Sequence, residues 1–295
     1  MNSIEDVDGM NKCERLKSVI KRMIDTNPLV VKSINCINER LNDRLAIEIC
    51  CDADCQAWTN LNIIYLGLGC ISRIYQLLNS LTDWDFNKYM INIQSNQNDE
   101  YGVDRYLKLN KDVVILPRLG EELDVLKEIN KLKFLENTSL TISDMICLGA
   151  MGFLLFHELG HLIHDPKISG TNMFTKEIMA DIFANEALNV TVIHSEYKQS
   201  SCVAFVGAIM AISQILMHRD QLEELNDVEH PHTIERMYGL FRFWNVSDES
   251  PFWELAYSII QKWTNKYSID ITWLKDSSTS YKEKVNDAYE HFRKK

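Results

Sequence analysis

The stretch "MICLGAMGFLLFHELGHLIHDP" (145–166) decides how the chain is read. Residues 145–155 carry no charged group and look built for burial. His157, Glu158 and His161 follow at once. Burying three such groups is unfavourable unless something satisfies them. On a helix, residues four apart stand one above the other on the same face. His157 and His161 could therefore aim both imidazoles at a single ion. Glu158 is next round the helix, placed to touch a water on that ion. The pattern His-Glu-x-x-His is a zinc signature for this reason. Pro166 should stop the helix, since proline cannot continue one. Thr141, Ser143 and Asp144 are candidate N-caps at its start.

A hydrolytic zinc site needs a third protein ligand and one open position. The metzincin continuation would put glycine at 164 and histidine at 167. The chain has His164 and Lys167, so that route is closed. The next helical pattern, "KEIMADIFANEAL" (176–188), offers Glu177 and Asp181, again four apart. Glu177 is the expected third ligand. Asp181 is expected to accept a hydrogen bond from the far nitrogen of a ligand histidine, His157 first. Zinc would bring a bound water within reach of ionisation at neutral pH, with Glu158 as the proton acceptor. A donor for the developing oxyanion should come from "EHPHTIERMYGLF" (229–241). There His230 either projects into a cleft or sits in a surface loop. Pro231 suits the first turn of a helix. His164 reads as an ordinary histidine near a helix end. His194, His218, His232 and His291 read as surface or capping residues. Gly152 and Gly160 are expected to mark close helix packing.

The rest of the chain reads as an α+β protein. Residues 1–140 form an N-terminal α+β part and 141–295 a helical part that carries the zinc site. Together they make one compact unit. Residues 1–43 look helical, broken by "NPL" at 27–29. "RLAIEICC" (44–51) alternates like a strand. A long buried helix is expected over about 60–80. "YMINIQ" (89–94) and "YLKLNKDVVILP" (106–117) read as strands. Residues 112–117 are the candidate edge strand, which an extended substrate could extend. A short helix is expected over 123–136. Later helices are expected near 174–189, 202–219, 232–244, 252–265 and 279–293.

The 295 residues are 46% hydrophobic and 25% charged, with a formal charge of −11. That acidity argues against nucleic acid as a partner. The C-terminal "FRKK" reads as a solvated tail, and "DQLEELNDVE" (220–229) as a solvated connection. Eight cysteines form no regular framework. With no signal-peptide pattern at the N-terminus, this points to reduced thiols and a cytoplasmic protein. Cys50, Cys51 and Cys55 lack paired metal-knuckle spacing and read as thiols at a strand end. Residues 61–78 and 203–217 read as buried helices rather than membrane spans.

HELGH, then ExxAD, then HPxxxxR resembles the gluzincin-type zinc peptidases, and among them most closely the Lit-type phage-exclusion peptidases. The motif resemblance covers about residues 140–245. It implies a zincin-like fold, with a small mixed sheet, an HExxH active-site helix and a mostly helical C-terminal half. It implies His157, His161 and Glu177 as zinc ligands and Glu158 as catalytic base. His230 and Arg236 would belong to the site rim, His230 as a catalytic group and Arg236 supporting the ligands as Asp181 does. It further implies a cytoplasmic endopeptidase that cuts a translation elongation factor in phage exclusion. An unregulated protease would harm its host, so a phage-derived or other protein activator is expected. "HELGHLIH" with the following helix is also similar to ImmA/IrrE-type metallopeptidases, which cleave repressors. A binding protein that keeps zinc only for structure, and a zinc hydrolase of small molecules, are the readings from other classes.

Overall fold

The computed structural model describes residues 17–50, 57–60, 62–67, 69–70, 73–74, 77–78, 81, 142–164, 172–194, 200–218, 232–266, 269–270 and 279–293. Residues 17–25 form α1, and α2 spans Pro28–Leu41. Asn27 separates them as an N-cap. Its side chain accepts a hydrogen bond from the Val30 amide, and Pro28 occupies the first helical turn, where its missing N–H matters least. The Asn27 side-chain amide also donates to the Ala187 carbonyl at 2.8 Å. The expected break at "NPL" is thus both a local stop and a long-range anchor. Asn42 closes α2 in the left-handed conformation, φ 51°.

Strands β1 (Ala46–Cys50), β2 (Ala57–Asn60) and β3 (Ile63–Gly67) form a sheet in the order β1-β3-β2. β1 runs parallel to β3, with Ala46 opposite Ile63. β2 runs antiparallel, with Thr59 opposite Ile64. This corrects the helix expected over 60–80. "IIYLG" is an apolar run that fits either a buried helix or a buried strand. Pairing on both sides, which no local pattern encodes, makes it the central strand. Helical residues follow at 69–70, 73–74 and 77–78 among those described. Side chains alternate across a strand. Trp58 and Tyr65 stack on one face, ring centres 5.1 Å apart. Thr59 and the fully buried Ile64 take the opposite face, toward the helices. Cys50 ends β1. Cys51 and Cys55, the strands expected at 89–94 and 106–117, the candidate edge strand 112–117 and the helix 123–136 lie outside the described residues.

The helical part centres on α3, Ile142–His164. Ser143 and Asp144 therefore lie inside it rather than capping it, and Thr141 falls outside the described residues. α4 (Met173–His194) and α5 (Ser200–His218) pack along α3, and β2 and β3 lie against it as well. Glycines set how close the helices come. A Cβ on Gly160 would stand 2.8 Å from the Ala180 Cα. One on Gly207 would stand 2.7 Å from the Ala150 nitrogen. One on Gly152 would meet Met23 at 2.7 Å. The expected close packing at Gly152 and Gly160 is present.

By length and composition α3 could cross a membrane, but most of its Met145–His164 segment is buried inside the protein. α6 (Thr233–Phe243), α7 (Phe252–Lys266) and α8 (Tyr281–Arg293) follow. An aromatic layer joins them: Phe241 on Trp253, Trp263 on Phe292. His232 caps α6, its Nδ1 accepting from the Ile234 amide, and stacks on Phe292.

Candidate metal centre

α3 delivers His157 and His161 one turn apart, and α4 delivers Glu177 against them. The Nε2 atoms of the two histidines are 3.2 Å apart. Glu177 Oε2 is 3.3 Å from His157 Nε2, and its Oε1 is 3.3 Å from His161 Nε2. The three side chains form a triangle of donor groups, with Glu177 turning one carboxylate oxygen toward each histidine. Ligands about 2.0–2.2 Å from a tetrahedral ion stand roughly 3.3–3.6 Å apart, so each of these spacings is close to that of two ligands sharing one ion. Two imidazole nitrogens and a carboxylate are also the donor types that suit a borderline divalent metal. These residues fit a metal ion, and they are the group of potential metal donors found among the described residues. Gly160 lies between the two histidines. Its missing side chain lets α4 come close enough for Glu177 to close the triangle.

Behind the triangle lies a second layer. Asp181 Oδ1 is 2.9 Å from His157 Nδ1. The Nδ1–H therefore donates to this carboxylate, which turns Nε2 toward the triangle, where a metal would take its lone pair in place of a proton. Arg236 on α6 grips the same carboxylate with two prongs, Nε to Oδ2 at 2.8 Å and Nη2 to Oδ1 at 2.6 Å. Its Nη1 is 3.6 Å from Glu177 Oε2, and only 9% of its side chain is exposed. Arg236, expected at the rim in support of the ligands, supports them through Asp181 from a buried position behind His157. His230 lies outside the described residues.

Two residues the sequence reading passed over hold this layer in place. Asn185, four past Asp181, donates to the Asp181 carbonyl at 2.8 Å and accepts from Trp244 Nε1 at 2.8 Å. Trp244 follows α6, so this bridge sets α6 against α4 and brings Arg236 to Asp181. The helical period 177–181–185 is a signal that could have found Asn185. Thr59 is the second. Its hydroxyl donates to Glu158 Oε2 at 3.4 Å, which ties β2 to the site. Nothing in the sequence near Thr59 announces that contact.

The electrostatics follow from burial and pairing. Burial opposes charge on His157, yet hydrogen bonds to Asp181 and Glu177 carry its pKa up to about 9. His161 is raised likewise, its burial outweighed by Glu177. Burial also opposes the charged form of Glu177, but both histidines and Arg236 hold its carboxyl far below the usual range. Glu158 moves the other way. Its burial pushes the carboxyl up, against the pull of the two histidines. A buried carboxyl with a raised pKa beside a cluster of donors has the properties of a proton-transfer group.

The model of the family described as Peptidase U49 matches residues 122–256, a little under half of the chain. The match takes in every residue of the triangle and of the layer behind it. No curated protein and no solved structure matches the chain. Over that stretch the chain is similar to Peptidase U49, and the match supports a proteolytic function.

Proposed function

We propose that the chain is a zinc-dependent endopeptidase of zincin-like fold whose substrate is a cytoplasmic protein. The observation that carries this is the three-donor triangle with a buried carboxylate, Glu158, beside it. Structural zinc sites are closed by four protein ligands, whereas catalytic ones use three and keep a position open. His157, His161 and Glu177 would hold the ion, and Asp181 with Arg236 would orient His157. Bound zinc supplies Lewis acidity, lowering the pKa of water from about 16 toward 7. Glu158 accepts the proton of the attacking water on its carboxylate and passes it to the leaving amine. Its low exposure keeps that proton from bulk solvent. The Thr59 hydroxyl holds Oε2 on the sheet side.

Resemblance to the Lit-type peptidases supports a narrower reading: cleavage of a translation elongation factor during phage exclusion, under control of an activator.

The test compares wild type with Glu158→Gln for zinc content and for proteolysis of a bacterial lysate, with and without phage infection. Both proteins should bind about one zinc, and only the wild type should remove a discrete band. That band identifies the substrate. A Glu158→Gln variant that cuts as fast as wild type would end the assignment of the base. Absence of zinc from both proteins would end the metallopeptidase reading.

A further inference from the structure

We propose that the groove between α1, α2 and the start of β1 is a docking site for an acidic, aliphatic-rich segment of a partner protein. The groove has a volume of about 470 Å³. Lys17, Ile20, Lys21 and Ile24 line it from α1 at helical spacing, so they form one stripe. Val31 and Ile34 line it from α2 in the same way, and Leu45 and Ile47 close the floor. Val31 is among the large hydrophobic side chains exposed in the described residues, at 36%.

Charge decides what fits. Lys21 and Arg44 border the apolar floor, with Asp25 as the acid among the lining residues. On a chain with formal charge −11, this is a local reversal of sign. An acidic partner is repelled by most of the surface and attracted here. Its aliphatic side chains would meet the isoleucine floor. The lining contains no aromatic ring on which a base could stack, which argues against single-stranded nucleic acid. The stripe on α1 is about 12 Å long at 1.5 Å per residue, a length that suits two turns of a helical peptide.

The groove also has a physical link to the metal helix. α2 runs on from the groove to Arg40, whose guanidinium donates to the Leu162 carbonyl, next to His161. An occupant would rest on the helix that braces the last turn of α3.

The test uses the full chain in the presence of a chelator, so neither metal nor proteolysis enters the readout. The probe is a fluorescein-labelled peptide of three Glu-Glu-Leu-Leu repeats, followed by anisotropy. A matched Glu-Glu-Ser-Ser peptide tests the apolar floor. Wild type should give saturable binding of the leucine peptide only. The double variant Lys21→Glu with Arg44→Glu should bind it at least about tenfold more weakly, and wild-type binding should fall with added salt. Hydrogen exchange on wild type, with and without peptide, locates the contact even if the double variant folds poorly. Protection should appear over 17–25 and 31–38. No saturable binding, protection elsewhere, or full binding by the folded double variant would each overturn the proposal.

Discussion

Arg236 and Asp181 meet as a two-pronged ion pair, 2.6 and 2.8 Å, directly behind His157. The same Asp181 oxygen that takes the shorter prong also faces His157 Nδ1 at 2.9 Å. One carboxylate thus joins α3, α4 and α6. Removing one partner of a buried pair leaves the other charge unsatisfied. Arg236→Ala should therefore destabilise the protein by about 3–5 kcal/mol. Arg236→Lys should recover little, because an ammonium cannot reproduce the planar fork. Asp181→Asn should weaken metal affinity by roughly 10–100-fold. Denaturant unfolding and competitive metal titration check both. Wild-type metal affinity in Asp181→Asn would remove the orienting role.

Gly160 and Gly239 offer a matched pair of substitutions. Gly160→Ala places a methyl 2.8 Å from the Ala180 Cα, which is backbone and cannot swing aside. α4 must shift, and Glu177 shifts with it. Destabilisation of about 1–3 kcal/mol should come with weaker metal binding. Gly239 lies in α6 with nothing within 4 Å of its built Cβ. Gly239→Ala should stabilise by about 0.5–1 kcal/mol, with metal binding unchanged. Thermal melts of the two variants give opposite signs if the packing argument holds.

The pH dependence of the chelator-treated protein follows from the raised histidine. The His157 pKa is about 9 in the fold against an ordinary 6.5. Its contribution to stability is complete below 6.5 and lost as pH rises through about 9. Glu177 is lowered from its ordinary 4.5, so its contribution is present above 4.5 and lost as pH falls. The chelated protein should therefore be most stable between these two values and should lose stability toward pH 9. Metal must displace the histidine proton, so the gain in melting temperature on adding zinc should grow over the same rise. A zinc-induced gain that is flat from pH 6 to 9 would contradict the assignment of His157 as a ligand.

Thr59→Val removes the hydroxyl beside Glu158 while keeping the β-branched shape that suits β2. Metal content should stay at the wild-type level. Proteolysis should fall roughly threefold to tenfold, the range for one lost hydrogen bond. Thr59→Ser should restore most of it. A valine variant as active as wild type would show that the contact does not matter to the reaction.

The site was legible where its geometry is local. His157 with His161, and Glu177 with Asp181, are pairs four apart on helices, and helical rise alone puts each pair on one face. Asn27 and Pro28 marked the start of α2 for equally local reasons. Arg236 was named from its motif as a residue supporting the ligands, but the sequence does not say that it is His157 it stands behind. That depends on the Asn185–Trp244 bridge between α4 and α6.

The sequence by itself determined helices α2 to α8, the two histidines and their carboxylate partners, because a helix closes its hydrogen bonds within a few residues. Only the tertiary structure decided that "IIYLG" is a central strand, that Thr59 meets Glu158, and that α4 stands close enough for Glu177 to complete the triangle. Each of these joins segments whose separation along the chain carries no period. Their partners are chosen by which surfaces bury together, and that is a property of the assembled core.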